Sequence, residues 1–251
     1  MRKYSFLLVV ILGVQGCVFE INSETKSDKK KPSQADGVKM DYYPGGQLRA
    51  EVVYKDGKKN GTAKQYYQDG KLYLEIDYAN NIKHGWVRRY YEDGKIYMET
   101  PYDSGMISGV QKKYRVGGKL SAEIPYYKDF PCIGLKEYLL DGSLKGKWPT
   151  IVIKPINNLW KDNQYMLRLS MSDATRAVEY YLGELSEGKS LAWDAERVLT
   201  VDSKGVGTLT FTLPQGAFMM KDVNIIAKVK TLQGNYYITQ RRYNLAIENK
   251  P

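Results

Sequence analysis

Residues 71–78, KLYLEIDY, alternate: Leu72, Leu74, Ile76 and Tyr78 fall on one side of an extended chain, and Lys71, Tyr73, Glu75 and Asp77 on the other. A period of two predicts a strand, because successive side chains leave a pleated backbone on opposite faces. The same alternation returns in Leu48, Ala50, Val52 and Tyr54, in Ile96, Met98, Thr100 and Tyr102, and in Leu120, Ala122, Ile124 and Tyr126. Its interval is fixed. Gly46, Gly70, Gly94, Gly118 and Gly142 stand twenty-four residues apart, as do Glu51, Glu75, Glu99 and Glu123, and Tyr66, Tyr90, Tyr114 and Tyr138. The DG before Lys71 and Lys95 supplies the positive φ of a hairpin, and KDGKKNG reads as a longer reversal at the opposite end. Residues 38–148 are therefore expected to form an antiparallel meander of about ten short strands. A two-strand unit cannot bury its apolar row alone, so repetition creates the core and also lines up exposed residues in columns. Pro101 and Pro125 interrupt strand patterns, and the second-turn glycine of Gly61, Gly85 and Gly109 slips one place to Gly134, so the last unit is expected to be distorted.

Phrases such as YYQDGKLYLEIDY and GWVRRYYEDGK resemble the MORN-variant repeats grouped as YwqK-type toxin-antitoxin antitoxin proteins, which are common in bacterial surface lipoproteins. The resemblance covers residues 41–145. It implies the repeat fold strongly and function weakly, because the repeat is widely reused for binding.

After GKWPT the interval disappears. Residues 149–251 carry seven candidate strands separated by turn-rich pieces such as DSKG and LQGN, which predicts an immunoglobulin-like β-sandwich without the paired cysteines of antibody domains. The whole chain is thus expected to be all-β, with this second domain in a position to cap the meander. Trp160 and Trp193 are read as core anchors, and a helical turn is expected near residues 172–196.

The first sixteen residues form a basic start, an apolar run and a small-residue stop, the composition of an export signal. Val14, Gln15, Gly16 and Cys17 resemble the lipobox of bacterial lipoproteins, implying cleavage before Cys17, acylation of its sulfur and attachment to an envelope membrane, with the outer membrane as the expected address. Residues 17–37, rich in Lys and Ser, read as a tether. Cys132 is then left without a disulfide partner, and is expected to be a small buried core thiol. The formal charge of +10 is spread along the chain, which favours anionic surfaces weakly; nucleic acid is not an expected partner of an exported protein.

Two columns are candidates for binding. Lys64, Arg88, Lys112 and Lys136 share one repeat position beside tyrosines, a basic ladder suited to an acidic protein, a phosphorylated headgroup or an anionic surface polymer such as a glycan, or else a solvated face that discourages edge pairing. Tyr73 and Tyr97 fall on the Lys/Glu side of their strands and are the aromatic contact candidates. The recurring glutamates are expected to pair across strands with Lys or Tyr, since a catalytic pair needs two different environments and a repeat gives each copy the same one. His84 reads as a surface turn residue. With one histidine and one unlipidated cysteine the sequence offers no usual zinc cluster, and no phosphate-cradling loop or nucleophile elbow is present, so no catalytic residue, metal or other cofactor is assigned. The reading is a non-enzymatic, lipid-anchored envelope protein with a β-repeat binding surface. Its competitors are an antitoxin or immunity protein that covers a toxin, and an enzyme acting on surface glycans.

Overall fold

The computed structural model describes residues 36–175, 177–192, 194–199 and 201–250. The signal, Cys17, most of the tether and Trp193 lie outside them. Twelve strands form one antiparallel sheet: β1 (Gly37–Tyr42), β2 (Leu48–Lys55), β3 (Lys58–Lys59), β4 (Gly61–Tyr66), β5 (Leu72–Ala79), β6 (Ile82–Tyr90), β7 (Ile96–Asp103), β8 (Met106–Ile107), β9 (Gly109–Tyr114), β10 (Leu120–Tyr127), β11 (Phe130–Pro131) and β12 (Lys136–Glu137). The count exceeds the expected ten because three of the second reversals add a separate two-residue strand, β3, β8 and β11.

The two reversals differ from the sequence reading. Asp56–Gly57, Asn80–Asn81, Ser104–Gly105 and Lys128–Asp129 all have positive φ at both residues. These are the tight two-residue hairpin turns, so KDGKKNG is the short reversal and not the long one. At the DG end only the glycine is left-handed, with Gly70 at φ 85° and Gly94 at φ 83°. There the Tyr67 N–H donates to the Lys71 carbonyl at 2.7 Å and the Gly70 N–H to the Tyr67 carbonyl at 3.0 Å, a three-residue loop closed by a glycine bulge.

That bulge recurs and shifts register. Gln65 faces Leu74 while Tyr66 faces Leu72, and Arg89 faces Met98 while Tyr90 faces Ile96. Tyr73 and Tyr97 are the skipped residues. The prolines sit at a second irregularity: β7 pairs with β9 only at Met98 and Glu99 and with β8 only at Tyr102 and Asp103, leaving Pro101 between ladders where no N–H is required. Pro125 lies in the same gap of β10.

Through the first modules the apolar rows are half-buried where the sequence suggested a packed face. Ala63 and Val87 are the tightest positions there. Burial deepens toward the C-terminal end, where Ala122, Ile124 and Leu135 form a core with Tyr126, Trp148 and Tyr237.

Residues 151–248 build two further sheets. One orders β13 (Ile151–Asn158), β14 (Gln164–Met171) and β17 (Gly207–Thr212); the other orders β16 (Glu196–Arg197), β15 (Val178–Leu182), β18 (Phe218–Lys230) and β19 (Tyr236–Glu248). Leu167, Leu169, Tyr180, Ile225, Ala227 and Leu245 meet between them as one core, a sandwich. In the constant-type immunoglobulin arrangement the fourth strand joins the sheet of the first, second and fifth, whereas β16 here pairs with the third. Tyr180 on that third strand is fully buried, donates to the Gly205 carbonyl at 3.2 Å, and burial pushes its hydroxyl up to about 12. Trp160 is not a core anchor. It lies 84% exposed on α1 (Leu159–Asp162), a single turn that buries Leu159 in its place. The expected helical turn is a short 3-10 segment, Glu187–Lys189.

The sandwich and the repeat sheet belong to one compact unit. The tip of the β18–β19 hairpin meets the last module at Glu137. This carboxylate is 1% exposed and accepts from Thr231 Oγ1 at 2.6 Å and Asn235 Nδ2 at 2.8 Å, while Lys145 Nζ stands 3.3 Å away. Lys145 also lies 4.2 Å over the ring of Trp148, which stacks on Tyr237. On the adjoining edge the Ile133 N–H donates to the Lys189 carbonyl, Cys132 bridges to Ser190, and Tyr127 donates to Glu187. Cys132 is buried, and burial raises its thiol pKa.

Candidate functional site: the repeat sheet

Both recurring charged columns lie on one line. Register places Glu51 opposite Lys64, Lys64 opposite Glu75, Glu75 opposite Arg88, Arg88 opposite Glu99, Glu99 opposite Lys112, Lys112 opposite Glu123, and Glu123 opposite Lys136. The sheet thus carries a row of strictly alternating sign, perpendicular to its strands. Lys64 approaches Glu51 at 3.5 Å, Arg88 lies 3.4 Å from Glu99 and 4.0 Å from Glu75, and Lys136 is 3.3 Å from Glu123. Such pairs contribute little individually, about 0–1 kcal/mol, but they set the register of adjoining modules.

Each glutamate has a second partner. Tyr66 donates to Glu51 at 2.8 Å, Tyr90 to Glu75 at 2.5 Å, Tyr114 to Glu99 at 2.7 Å and Tyr138 to Glu123 at 2.9 Å. Burial and then the carboxylate bond push Tyr66 and Tyr114 up to about 12 and raise Tyr90 further; for Tyr138 the bond to Glu123 comes first. Burial works to raise Glu123, but the bonds from Tyr138 and Lys136 outweigh it and hold this carboxyl below its ordinary value. The four glutamate side chains are 18–22% exposed, so the repeat gives each copy a similar setting. Lys64, Arg88, Lys112 and Lys136 therefore belong to a compensated row and do not stand as an isolated basic ladder.

Tyr73 and Tyr97 leave that row. As bulge residues they turn edge-on to Tyr67 and Tyr91, with ring centroids 5.0 and 5.1 Å apart. Tyr73 also receives Arg89 Nη2 at 2.5 Å, and Arg89 is the register partner of Leu74, on the side opposite the glutamates. The strand parity used in the sequence reading fails at the skipped position. Tyr73 helps to line a shallow hollow of about 310 Å³ with Asp41, Tyr43, Arg49, Gln65 and Tyr66.

A third tyrosine column stitches modules together. Tyr43, Tyr67 and Tyr91 donate to the carbonyls of Tyr66, Tyr90 and Tyr114 at 2.7–2.8 Å, and Arg115 takes the role toward the Tyr138 carbonyl. The exposed apolar positions follow the interval too: Ile82, Met106 and Phe130 along one margin, Trp86 and Val110 along another line. Each is a single residue in its own module, and the columns show only when modules are superposed. His84 is exposed, with Nδ1 3.5 Å from Asp103. Among the described residues no three His, Cys, Asp or Glu side chains gather closely enough to hold a metal ion.

A sheet of recurring two-strand units, ordered by a charged row and carrying apolar columns, is a β-repeat of the kind that offers an interaction or membrane-binding surface. Residues 35–56, 59–80 and 83–104 match the model of a protein family described as the MORN repeat variant, three tandem copies at the interval found here. No curated protein compared with the chain matches it. The module geometry continues past residue 104: the Tyr114–Glu99 and Tyr138–Glu123 bonds repeat those of the matched copies.

Proposed function

We propose that this is a non-enzymatic bacterial envelope protein, held at the outer membrane by a lipid on Cys17, whose repeat sheet docks a protein partner. The observation that carries the docking surface is the apolar margin of Ile82, Met106 and Phe130, each 37–50% exposed and one module apart. A solvated face has no reason to repeat large apolar side chains at the interval of the fold. The compensation of Lys64, Arg88, Lys112 and Lys136 favours a protein over an anionic polymer. The Val14–Cys17 junction supports the anchor.

Two measurements test this. Palmitate fed to expressing cells is expected to label the protein and to be lost in Cys17→Ser; an unlabelled parent removes the anchor. Mass spectrometry of envelope proteins co-purifying with the chain is expected to lose its main partner in Ile82→Glu/Met106→Glu/Phe130→Glu and to keep it in Arg88→Glu/Lys112→Glu. The opposite pattern would move the site to the charged row. Recovery of a toxin in one-to-one complex would make the protein an antitoxin or immunity factor acting through the same surface.

A further inference from the structure

The two ends of the twelve-stranded sheet are treated differently. Its C-terminal end meets the sandwich through Cys132, Ile133 and Glu137, whereas β1 is the terminal strand of the sheet order and is exposed at five of six residues. Val38, Met40 and Tyr42 are each at least half exposed. In the repeat frame Met40 occupies the position of Lys64, Arg88, Lys112 and Lys136, opposite Glu51, so the charged row ends on a thioether where every other module has a cation.

The backbone of β1 is set up for a further strand. The Tyr43 N–H donates inward to the Gln47 carbonyl, and because donors alternate along a strand, Asp41 and Lys39 also face β2 while Tyr42, Met40 and Val38 face outward. The N–H of Tyr42 accordingly turns to the Asp41 side chain at 3.0 Å. Residues 24–31, ETKSDKKK, fall where the interval would place a preceding strand, but they lack the apolar alternation of the modules.

We infer that the edge of β1 pairs with the β1 edge of a second copy, antiparallel, about a two-fold axis at Met40. In this register Met40 faces Met40, Val38 faces Tyr42 and Lys39 faces Asp41, each pair being made twice or lying on the axis. One face of the join is apolar; on the other, Lys39 opposes an Asp41 that Arg49 of its own chain also holds, and the Tyr42 N–H exchanges its bond to Asp41 for a carbonyl across the join, so that the outward donors and acceptors of Val38, Met40 and Tyr42 satisfy one another. Sliding by two residues brings Lys39 opposite Lys39, or Asp41 opposite Asp41, and a slide by one turns the wrong backbone groups to the join. The register is therefore specified by the edge itself. The product is one sheet with a sandwich at each outer end and no free repeat edge, which removes an exposed template for aggregation.

The test is sedimentation of the full chain in detergent over a range of concentrations. The parent is expected to dimerise. Met40→Lys restores the cation of the other modules beside Glu51 but opposes like charges on the axis, so it is expected to weaken dimerisation by about tenfold or more with an unchanged denaturation midpoint. Lys39→Asp and Asp41→Lys are each expected to be monomeric, because each edge then carries one sign. Mixed together they oppose Asp to Lys at every charged position and are expected to form a heterodimer. A monomeric parent at all concentrations, a dimer indifferent to these changes, or a mixture that does not associate would overturn the inference.

Discussion

A tyrosine hydroxyl bonded to a glutamate that also faces a cation is the recurring unit of this protein, and it makes stability sensitive to alkali. Tyr66 and Tyr114 are pushed from an ordinary value of 10.0 up to about 12, so the folded state holds these protons more tightly than the unfolded chain. Their contribution is complete below about pH 10 and is lost as pH rises through about 12. Tyrosinate absorbance is expected to show these residues ionising late and together with unfolding, and Tyr66→Phe/Tyr114→Phe is expected to flatten the loss of denaturation midpoint above pH 10. Ionisation of all tyrosines near their ordinary value, ahead of unfolding, would count against the row as described. The sequence announced both columns of this row through their interval. It could not say that the two columns interleave, because that follows from which strand lies beside which.

The hairpins depend on backbone conformations that few residues adopt. Gly109 has φ +117°, and a Cβ there would come within 3.0 Å of Pro101 Cγ. Gly109→Ala is expected to destabilise by about 1–3 kcal/mol in chemical denaturation, while Gly117→Ala, with open surroundings and no left-handed backbone, is expected to stay within about 0.5 kcal/mol. Equal effects would mean that the β9 entry is not strained. Strand existence was legible here because alternation is local. The fate of Tyr73 was not, since one residue skipped in the pairing of Gln65 and Tyr66 with Leu74 and Leu72 reverses the side on which it emerges. The reversal at KDGKKNG was misjudged for a related reason: Asn80–Asn81 and Lys128–Asp129 adopt the same left-handed pair without any glycine, so composition hid their equivalence.

A buried carboxylate stands among the contacts that join the repeat sheet to the sandwich. Removing the Glu137 carboxylate strands the donors of Thr231 and Asn235, so Glu137→Leu is expected to destabilise by about 2–4 kcal/mol. Glu123→Gln, in the more exposed row, is expected to lose less than about 1 kcal/mol. Comparable losses in the two variants would argue that the β18–β19 tip does not brace the last module. Glu137 takes the repeat position of Gln65, Arg89 and Lys113, and nothing in its own sequence neighbourhood distinguishes it. Only the arrival of Thr231 and Asn235, more than ninety residues later, makes it an anchor.

By itself the sequence determined the all-β character and the twenty-four-residue module, because both are written in periodicities that a strand expresses locally. The tertiary structure alone decided that the basic and acidic columns merge into one row, that Trp160 stays in solvent while Leu159 is buried, and that one end of the sheet meets the sandwich while the other, among the described residues, ends on β1. Those outcomes depend on register and on contacts between distant segments, which no window of neighbouring residues contains.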